Sequence, residues 1–242
     1  MGLFAKKYCD ICGEKIGLLG NRKLEDGNMC KDCAALISPF LTDRRRTTLA
    51  EIKEHLAYRE ANKTQVAAFN VTRTFGDKTK LLLDANAGKF IITSSGRWQN
   101  ENPDVMTLSQ VTGCQTDIDE SKEEIKTKDK DGKSISYNPP RYDTYYDFYV
   151  ILHINSPWFN EIKFQINKDS VEERNYNKYK EFEQQINEIK QVLTQTQQES
   201  SESVNPTNTA GSTVKSTQKC PTCSATTIPD ENGCCEYCGG KL

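Results

Sequence analysis

Near its start the chain carries two Cys-x-x-Cys pairs, Cys9-Asp-Ile-Cys12 and Cys30-Lys-Asp-Cys33, separated by seventeen residues. This spacing is typical of a zinc site, because two cysteines three positions apart direct both sulfurs at one tetrahedral centre and a second pair completes it. Gly13 follows the first pair and permits the positive-φ turn of a zinc knuckle. The sequence therefore predicts a structural Zn²⁺ site, with four free or redox-active cysteines as the alternative.

The residues between and after these pairs predict a small treble-clef zinc finger over residues 1–46. Asp26-Gly27 is a turn signal for a hairpin between about Leu18 and Gly27. The second cysteine pair runs directly into Ala34-Ala-Leu-Ile37, which favours a helix. A knuckle, a hairpin and a helix that carries the last two ligands form the treble-clef arrangement.

A second cysteine set at the other end predicts a zinc ribbon over residues 220–242. Its pairs are Cys220-Pro-Thr-Cys223 and Cys235-Glu-Tyr-Cys238, separated by eleven residues. Cys234 stands beside the second pair, and the Cys-x-x-Cys spacing favours Cys235 over it as the ligand. The sequence thus predicts two structural Zn²⁺ ions, each held by four thiolates and neither with an open coordination position.

Composition and charge limit the class of protein. The chain has 242 residues, of which 36% are hydrophobic, and no apolar run approaches the roughly 18 residues of a transmembrane helix. Ten cysteines, eight of them in metal spacings, favour a reducing compartment and predict a cytoplasmic protein. The net charge is −2, with +3 on residues 1–63 and −3 on residues 64–196. Bound thiolates make the zinc modules more acidic, which argues against general nucleic-acid binding.

The triple arginine, Arg44-Arg45-Arg46, is the only dense basic cluster. One interpretation is a phosphate or RNA contact; the favoured one is a solvated turn that pairs with neighbouring acidic groups. After it, Thr47 or Thr48 is a good N-cap with Glu51 at capping-box distance. The sequence therefore predicts a connecting helix over residues 47–63.

From about Val66 the hydrophobic period changes from 3.6 to 2, which indicates strands. Lys130-Asp-Gly-Lys133 is a strong hairpin signal. We expect six or seven strands in one meandering antiparallel sheet; the candidate segments are 80–84, 89–94, 106–114, 115–128, 142–154 and 161–166. A helix over residues 170–195 then presents a stripe of Tyr, Phe, Ile and Leu, predicted to pack on the sheet. The fold class is α+β.

Two resemblances follow from these patterns. A strand meander closed by one C-terminal helix resembles a pleckstrin-homology-like domain over residues 64–195, and in bacteria this implies an interaction or scaffold module. The block C-x-I-C-G-x-K-I with L-x-D-G-x-M-C-x-x-C resembles an uncharacterised bacterial four-cysteine zinc domain found at protein N-termini. Its function is unknown, so the resemblance carries over only the four metal ligands.

Residues 196–219 form a different kind of segment. They are rich in Gln, Ser, Thr and Asn and lack aromatic residues, so they predict a disordered linker. A tether of this length spans on the order of 25 Å, and whether the C-terminal ribbon moves or docks is left open.

No catalytic motif stands out in the sequence. The histidines are His55 and His153, and Cys114 is the one cysteine outside the two clusters. A Cys114–His153 pair would be the only candidate for nucleophilic catalysis, and both residues are better explained as structural. We therefore expect a non-enzymatic zinc-binding adaptor that recruits a protein partner. The alternatives are nucleic-acid binding through the zinc modules and Arg44–Arg46, and membrane-surface binding through the acidic middle domain.

Overall fold

The computed structural model describes residues 6–202, with side chains to Thr194, and the short stretches 218–219, 226–227 and Cys234. The chain divides into two compact units, Met1–Glu202 and Ser203–Leu242. Most of the second unit, including residues 203–217 of the predicted linker, lies outside the described residues. The predicted start of the linker at residue 196 was wrong, because the last helix of the first unit continues to Glu202. Within it, β13 (Gln218–Lys219) pairs antiparallel with β14 (Thr226–Thr227).

The N-terminal module consists of two short hairpins followed by a short helix. The first hairpin joins β1 (Lys7–Tyr8) to β2 (Lys15–Ile16), and the second joins β3 (Arg22–Lys23) to β4 (Asn28–Met29). Helix α1 (Lys31–Ala35) follows at once. The N–H of Leu24 donates to the carbonyl of Gly27 at 2.9 Å, so the predicted turn is confirmed.

The connecting helix α2 (Leu49–Ala68) is longer than its predicted span. Thr48 is its N-cap and forms the expected capping box with Glu51. The helix continues beyond residue 63 to Ala68, past the point near Val66 where the change of period predicted strands, because buried Val66 prolongs its packed face. Tertiary burial here overrides a weak local pattern.

The middle of the chain forms two antiparallel sheets, where one meander was expected. The first sheet has four strands in sequence order: β5 (Arg73–Phe75), β6 (Lys80–Asp84), β7 (Lys89–Thr93) and β8 (Val105–Thr107). In the second sheet one long strand pairs with all the others; its strands are β9 (Val111–Lys128), β10 (Ser134–Ile154), β11 (Glu161–Gln165) and β12 (Val171–Glu172). A 3-10 turn at Leu108–Gln110 separates β8 from β9, so the predicted strand 106–114 is split.

The hairpin of β9 and β10 extends beyond the core. The predicted turn is confirmed at its end, where Gly132 has φ 79°. None of residues 119–143 is buried, so this part, called the arm below, is a solvent-exposed ribbon. A register shift between Ser136 and Arg141 makes four residues of β10 bulge out of the ladder.

Helix α3 (Tyr176–Glu202) closes the second sheet. Most of its predicted apolar stripe packs on the sheet, with Phe182, Ile186, Ile189 and Leu193 all buried in the main core. Tyr176, the first residue of the predicted stripe, is exposed instead. The predicted start at Ser170 was wrong, because Glu172 pairs with Tyr145 in the sheet and leaves the helix to begin later.

Candidate metal centre

The four N-terminal cysteines converge on one point. Their Sγ atoms all lie within 4.8 Å of one another. The Sγ atoms of Cys9 and Cys33 are 3.8 Å apart, and those of Cys12 and Cys30 are 3.7 Å apart. A tetrahedral zinc ion with bonds of about 2.3 Å separates its sulfur ligands by about 3.8 Å. The cluster therefore has the dimensions of a four-thiolate zinc site.

Backbone geometry holds these sulfurs in place. Gly13 adopts φ 76° and its N–H donates to the Cys9 carbonyl at 2.8 Å, which closes the knuckle. On the other side, Cys30 is the N-cap of α1, and its Sγ accepts from the Cys33 N–H at 3.3 Å. The Cys30 N–H in turn donates to Sγ of Cys9 at 3.2 Å. Each pair is thus fixed by local structure and linked to the other.

Electrostatics favour a bound cation at this cluster. Cys9, Cys30 and Cys33 are buried, and Cys12 is exposed. Burial opposes ionisation of Cys9, but N–H groups of Cys12, Cys30 and Ile11 outweigh it and lower its pKa to about 6. Burial and the neighbouring sulfurs raise the pKa of Cys33. A divalent ion would offset both the desolvation and the mutual repulsion of four thiolates.

The donor set defines what such an ion can do. The cluster in the described part of the chain contains four cysteines and neither a carboxylate nor an imidazole. The nearby carboxylate of Asp10 accepts from the Asn28 N–H at 2.6 Å. Four thiolates suit Zn²⁺ and leave no position for water. A zinc ion held by these four thiolates would stabilise the fold and would keep no coordination position for a substrate.

The cysteines also belong to the core of the N-terminal module. Cys9, Cys30 and Cys33 cluster with four other buried residues, Ile16, Leu24, Met29 and Ile52. Ile52 comes from α2, so the helix completes this small core. A core of this size would depend on a bound metal for much of its stability.

A buried polar network, missed by the sequence reasoning, joins α2 to the first sheet. Arg59 donates from Nη1 to Oδ1 of Asp104 at 2.9 Å, and from Nε to the Leu36 carbonyl at 3.2 Å. Ser38 donates from Oγ to the other oxygen of Asp104 at 2.6 Å. We call Ser38, His55, Arg59, Asn62 and Asp104 the joint. It ties the end of the N-terminal module to the segment before β8.

His55 is the titratable member of the joint that carries no charge. Its Nε2 accepts from the Ser38 N–H at 2.9 Å, and the Trp158 ring packs edge-on at 4.8 Å. Burial lowers the pKa of His55 to about 4, which outweighs the attraction of the Asp104 charge. The imidazole is therefore uncharged at neutral pH and acts as a structural acceptor. His55, Arg59 and Asn62 continue the helical spacing of Ile52, which is the signal that could have revealed them.

The structure places the triple arginine in one 3-10 turn, Arg44–Arg46. Such a turn has about three residues per revolution, so three consecutive side chains point in different directions. Arg46 pairs with Asp43 at 3.4 Å, and both side chains are largely exposed. Arg46 therefore has the acidic neighbour that was predicted for a solvated turn. The three arginine side chains do not form one basic face.

Cys114 and His153 do not form a pair. Cys114 lies opposite Leu152 in the ladder and is buried in the main core, where burial raises its pKa to about 11. His153 is the next residue along that strand, so its side chain leaves the other face. There it contacts Gln115 at 3.3 Å and Glu161 at 3.8 Å. The one nucleophile–base pair suggested by the sequence is thus wrong.

The four predicted ligands of the second zinc ion are in the C-terminal segment. Cys220, Cys223, Cys235 and Cys238 lie outside the described residues. Cys234, the neighbouring thiol, is described and is partly buried. The second zinc site stays a prediction.

Comparison with known proteins identifies one segment. Residues 7–55 match the family described as Domain of unknown function (DUF4428). This confirms the resemblance of the N-terminal motif to an uncharacterised four-cysteine domain, and the match runs through the first turns of α2 to His55. No curated protein and no solved structure matches the chain. Among the described residues, no helix has the length and apolar character needed to cross a bilayer.

Proposed function

We propose that the protein is a non-enzymatic zinc-binding adaptor that recruits a protein partner. The closed tetrahedron of Cys9, Cys12, Cys30 and Cys33 carries this proposal. A zinc ion held by four thiolates organises a small domain and keeps no position for water or substrate. Domains built this way ordinarily act through the surface that the metal stabilises.

The middle domain supports a scaffold role. We propose a pleckstrin-homology-like arrangement over residues 64–195, and the antiparallel strands with a closing C-terminal helix support it. Resemblance to such domains in bacteria implies an interaction module. The joint holds this domain against the N-terminal module through buried hydrogen bonds, so the two would present one rigid surface to a partner.

The arm is the surface we assign to the protein partner. Its outer strand edge at residues 134–143 has no ladder partner among the described strands, since β12 pairs with β10 only at Tyr145 and Tyr146. Ile135 and Tyr142 are exposed on it, at 43% and 56%. A free edge beside exposed apolar side chains suits addition of a strand from a partner.

The C-terminal ribbon would be a second contact point. We propose that Cys220, Cys223, Cys235 and Cys238 bind the second Zn²⁺ and that residues 196–219 tether this ribbon. Ten cysteines, eight in metal spacings, support a reducing, cytoplasmic environment.

Affinity capture from the native host tests the adaptor role. Three baits are compared: the full chain, a chain ending at Glu202, where α3 ends, and the full chain with Ile135→Lys and Tyr142→Lys. The proposal predicts one specific protein that is lost with the arm variant, the truncation or both. Lys130→Gln, in the nearby hairpin turn, is the matched control. Capture of nuclease-sensitive nucleic acid that is lost in Arg44→Ala/Arg45→Ala/Arg46→Ala would contradict the proposal and favour nucleic-acid binding.

A further inference from the structure

The turn between the two N-terminal hairpins carries an unusual pair of residues. The Gly20 N–H donates to the Gly17 carbonyl at 3.0 Å, so Leu18 and Leu19 occupy the two corners of a tight turn. Their side chains are 89% and 88% exposed, and neither belongs to the apolar cluster of the module. Turn corners usually carry Gly, Pro, Asn, Asp or Ser. Two adjacent leucines there lie outside both apolar clusters of the described part of the chain.

Cationic residues flank this turn on both sides along the chain. Residues 15–23 include Lys15, Arg22 and Lys23 and no acidic residue. The Nη1 atom of Arg22 donates to the Leu19 carbonyl at 3.2 Å, which places the guanidinium beside the turn. Lys15 and Lys23 are exposed, and the described residues provide neither with an ion pair. The turn is thus an apolar tip flanked along the chain by three cationic residues, Lys15, Arg22 and Lys23, which we call the collar.

Strand pairing adds a further cation at the base. Lys7 lies opposite Ile16, the residue that leads into the turn, and it is exposed. Ile16 itself is buried in the zinc-module core, and its Cγ2 would lie 3.5 Å from a Cβ built on Gly20. The tip is therefore supported directly by the core that contains the cysteine cluster.

We propose that Leu18 and Leu19 insert into the surface of an anionic lipid bilayer, with Lys7, Lys15, Arg22 and Lys23 contacting the lipid headgroups. A convex tip needs a surface that yields around it, and the boundary between headgroups and acyl chains accepts such side chains without a matched groove. Anionic headgroups attract the collar. The negative middle domain would be repelled, which orients the zinc module towards the bilayer. This attachment is separate from the partner contact assigned to the arm.

Vesicle sedimentation with the zinc-loaded full chain tests this inference. The vesicles contain phosphatidylcholine alone, or equal parts of phosphatidylcholine and phosphatidylglycerol. We expect binding only to the second kind, reduced at least ~10-fold by Leu18→Ser/Leu19→Ser and also reduced by Lys15→Gln/Lys23→Gln or by high salt. Unchanged zinc content and melting temperature show that each variant folds.

Matched controls distinguish a specific effect of Leu18 and Leu19 on vesicle binding from a general effect of removing exposed apolar or cationic side chains. Leu36→Ser removes another exposed leucine of the same module, 59% exposed and outside the turn, and should bind like the wild type. Lys130→Gln/Lys133→Gln removes two cations from the arm and should also bind normally. A Leu18→Trp variant reports insertion, because its fluorescence should shift to shorter wavelength with anionic vesicles once the wild-type signal is subtracted.

Three results would overturn the inference. The wild type fails to bind anionic vesicles, or the double serine variant binds them as well as the wild type does. In the third, Leu18→Ser/Leu19→Ser leaves vesicle binding untouched but loses a protein captured from the host, which would assign the tip to a protein groove.

Discussion

Nη1 of Arg59 lies 2.9 Å from Oδ1 of Asp104, and the two side chains are only 8% and 0% exposed. The two residues are 45 positions apart, one on α2 and the other just before β8. This buried ion pair, completed by Ser38, fixes the N-terminal module to the first sheet.

Removing one partner of this pair should destabilise the protein strongly. Asp104→Ala leaves Arg59 buried without its counter-charge, and we expect a loss of about 3–5 kcal/mol in the free energy of unfolding. Urea denaturation of the zinc-loaded protein measures it. Asp43→Ala is the matched control, because it breaks the exposed pair with Arg46 and should cost less than ~1 kcal/mol. Equal losses of stability in the two variants would contradict the stabilising role assigned to the buried pair.

His55 should make stability depend on pH. Its folded pKa of about 4 lies below the unfolded value of about 6.5, so the unfolded chain binds a proton that the folded chain excludes. The contribution is fully present above pH ~6.5 and is lost as pH falls towards 4, by up to about 3 kcal/mol. Denaturation across this range should show a shallower pH slope for His55→Gln, which keeps an acceptor for the Ser38 N–H. Identical slopes for the two proteins would refute this assignment.

Metal removal should unfold the N-terminal module selectively. Chelation or Cys9→Ser removes the centre of its core, whereas the two sheets keep a separate core of their own. In ¹⁵N–¹H correlation spectra we expect signals of residues 7–46 to collapse and those of β6, β7 and β10 to persist. An N-terminal module that stays folded without metal would contradict a structural role for the metal.

Metal stoichiometry tests the predicted second site. We expect two zinc ions in the wild-type protein, and one each in Cys9→Ser and Cys220→Ser. Cys114→Ser is the control and should retain both ions, because Cys114 belongs to the main core. If the wild-type protein holds one zinc ion and Cys220→Ser does not change this number, the predicted second zinc site is contradicted.

Gly76 should be irreplaceable at the contact between the two sheets. It has φ 81°, and a Cβ there would lie 2.5 Å from the Thr79 carbonyl oxygen and 3.1 Å from Cβ of Ile166. Gly76→Ala should cost about 2–4 kcal/mol in thermal or urea unfolding. Gly88→Ala also has a positive φ but meets no atom within 4 Å, so about 1 kcal/mol is expected there. Similar losses at the two sites would show that no clash occurs.

Local sequence signals predicted the metal cluster and the hairpin turns. Cysteine spacing and the glycine at position 13 act over a few residues, so they determine where four sulfurs meet. The stripe of α3 was equally predictable, because a repeat of 3.6 residues requires a partner surface. These features depend on neighbours in the chain and need no knowledge of the tertiary fold.

Features that depend on distant contacts were less predictable. The arm shows little alternation because no residue in it is buried, so its strands follow from the continuing ladder of β9 and β10. Helix α3 starts late because Glu172 pairs with Tyr145, a contact that helix propensity does not include. The joint was not predicted because charged residues such as Arg59 and Asp104 are usually exposed, and only the tertiary fold buries them as a pair.

Zinc X-ray absorption spectroscopy on protein purified with its native metal tests the central claim most directly. The account predicts a shell of four sulfur atoms at about 2.3 Å and no lighter ligand, because a closed thiolate site holds neither water nor substrate. A nitrogen or oxygen neighbour at about 2.0–2.1 Å would reveal an open or mixed site. That result would contradict a purely structural role for zinc and return an enzymatic function to consideration.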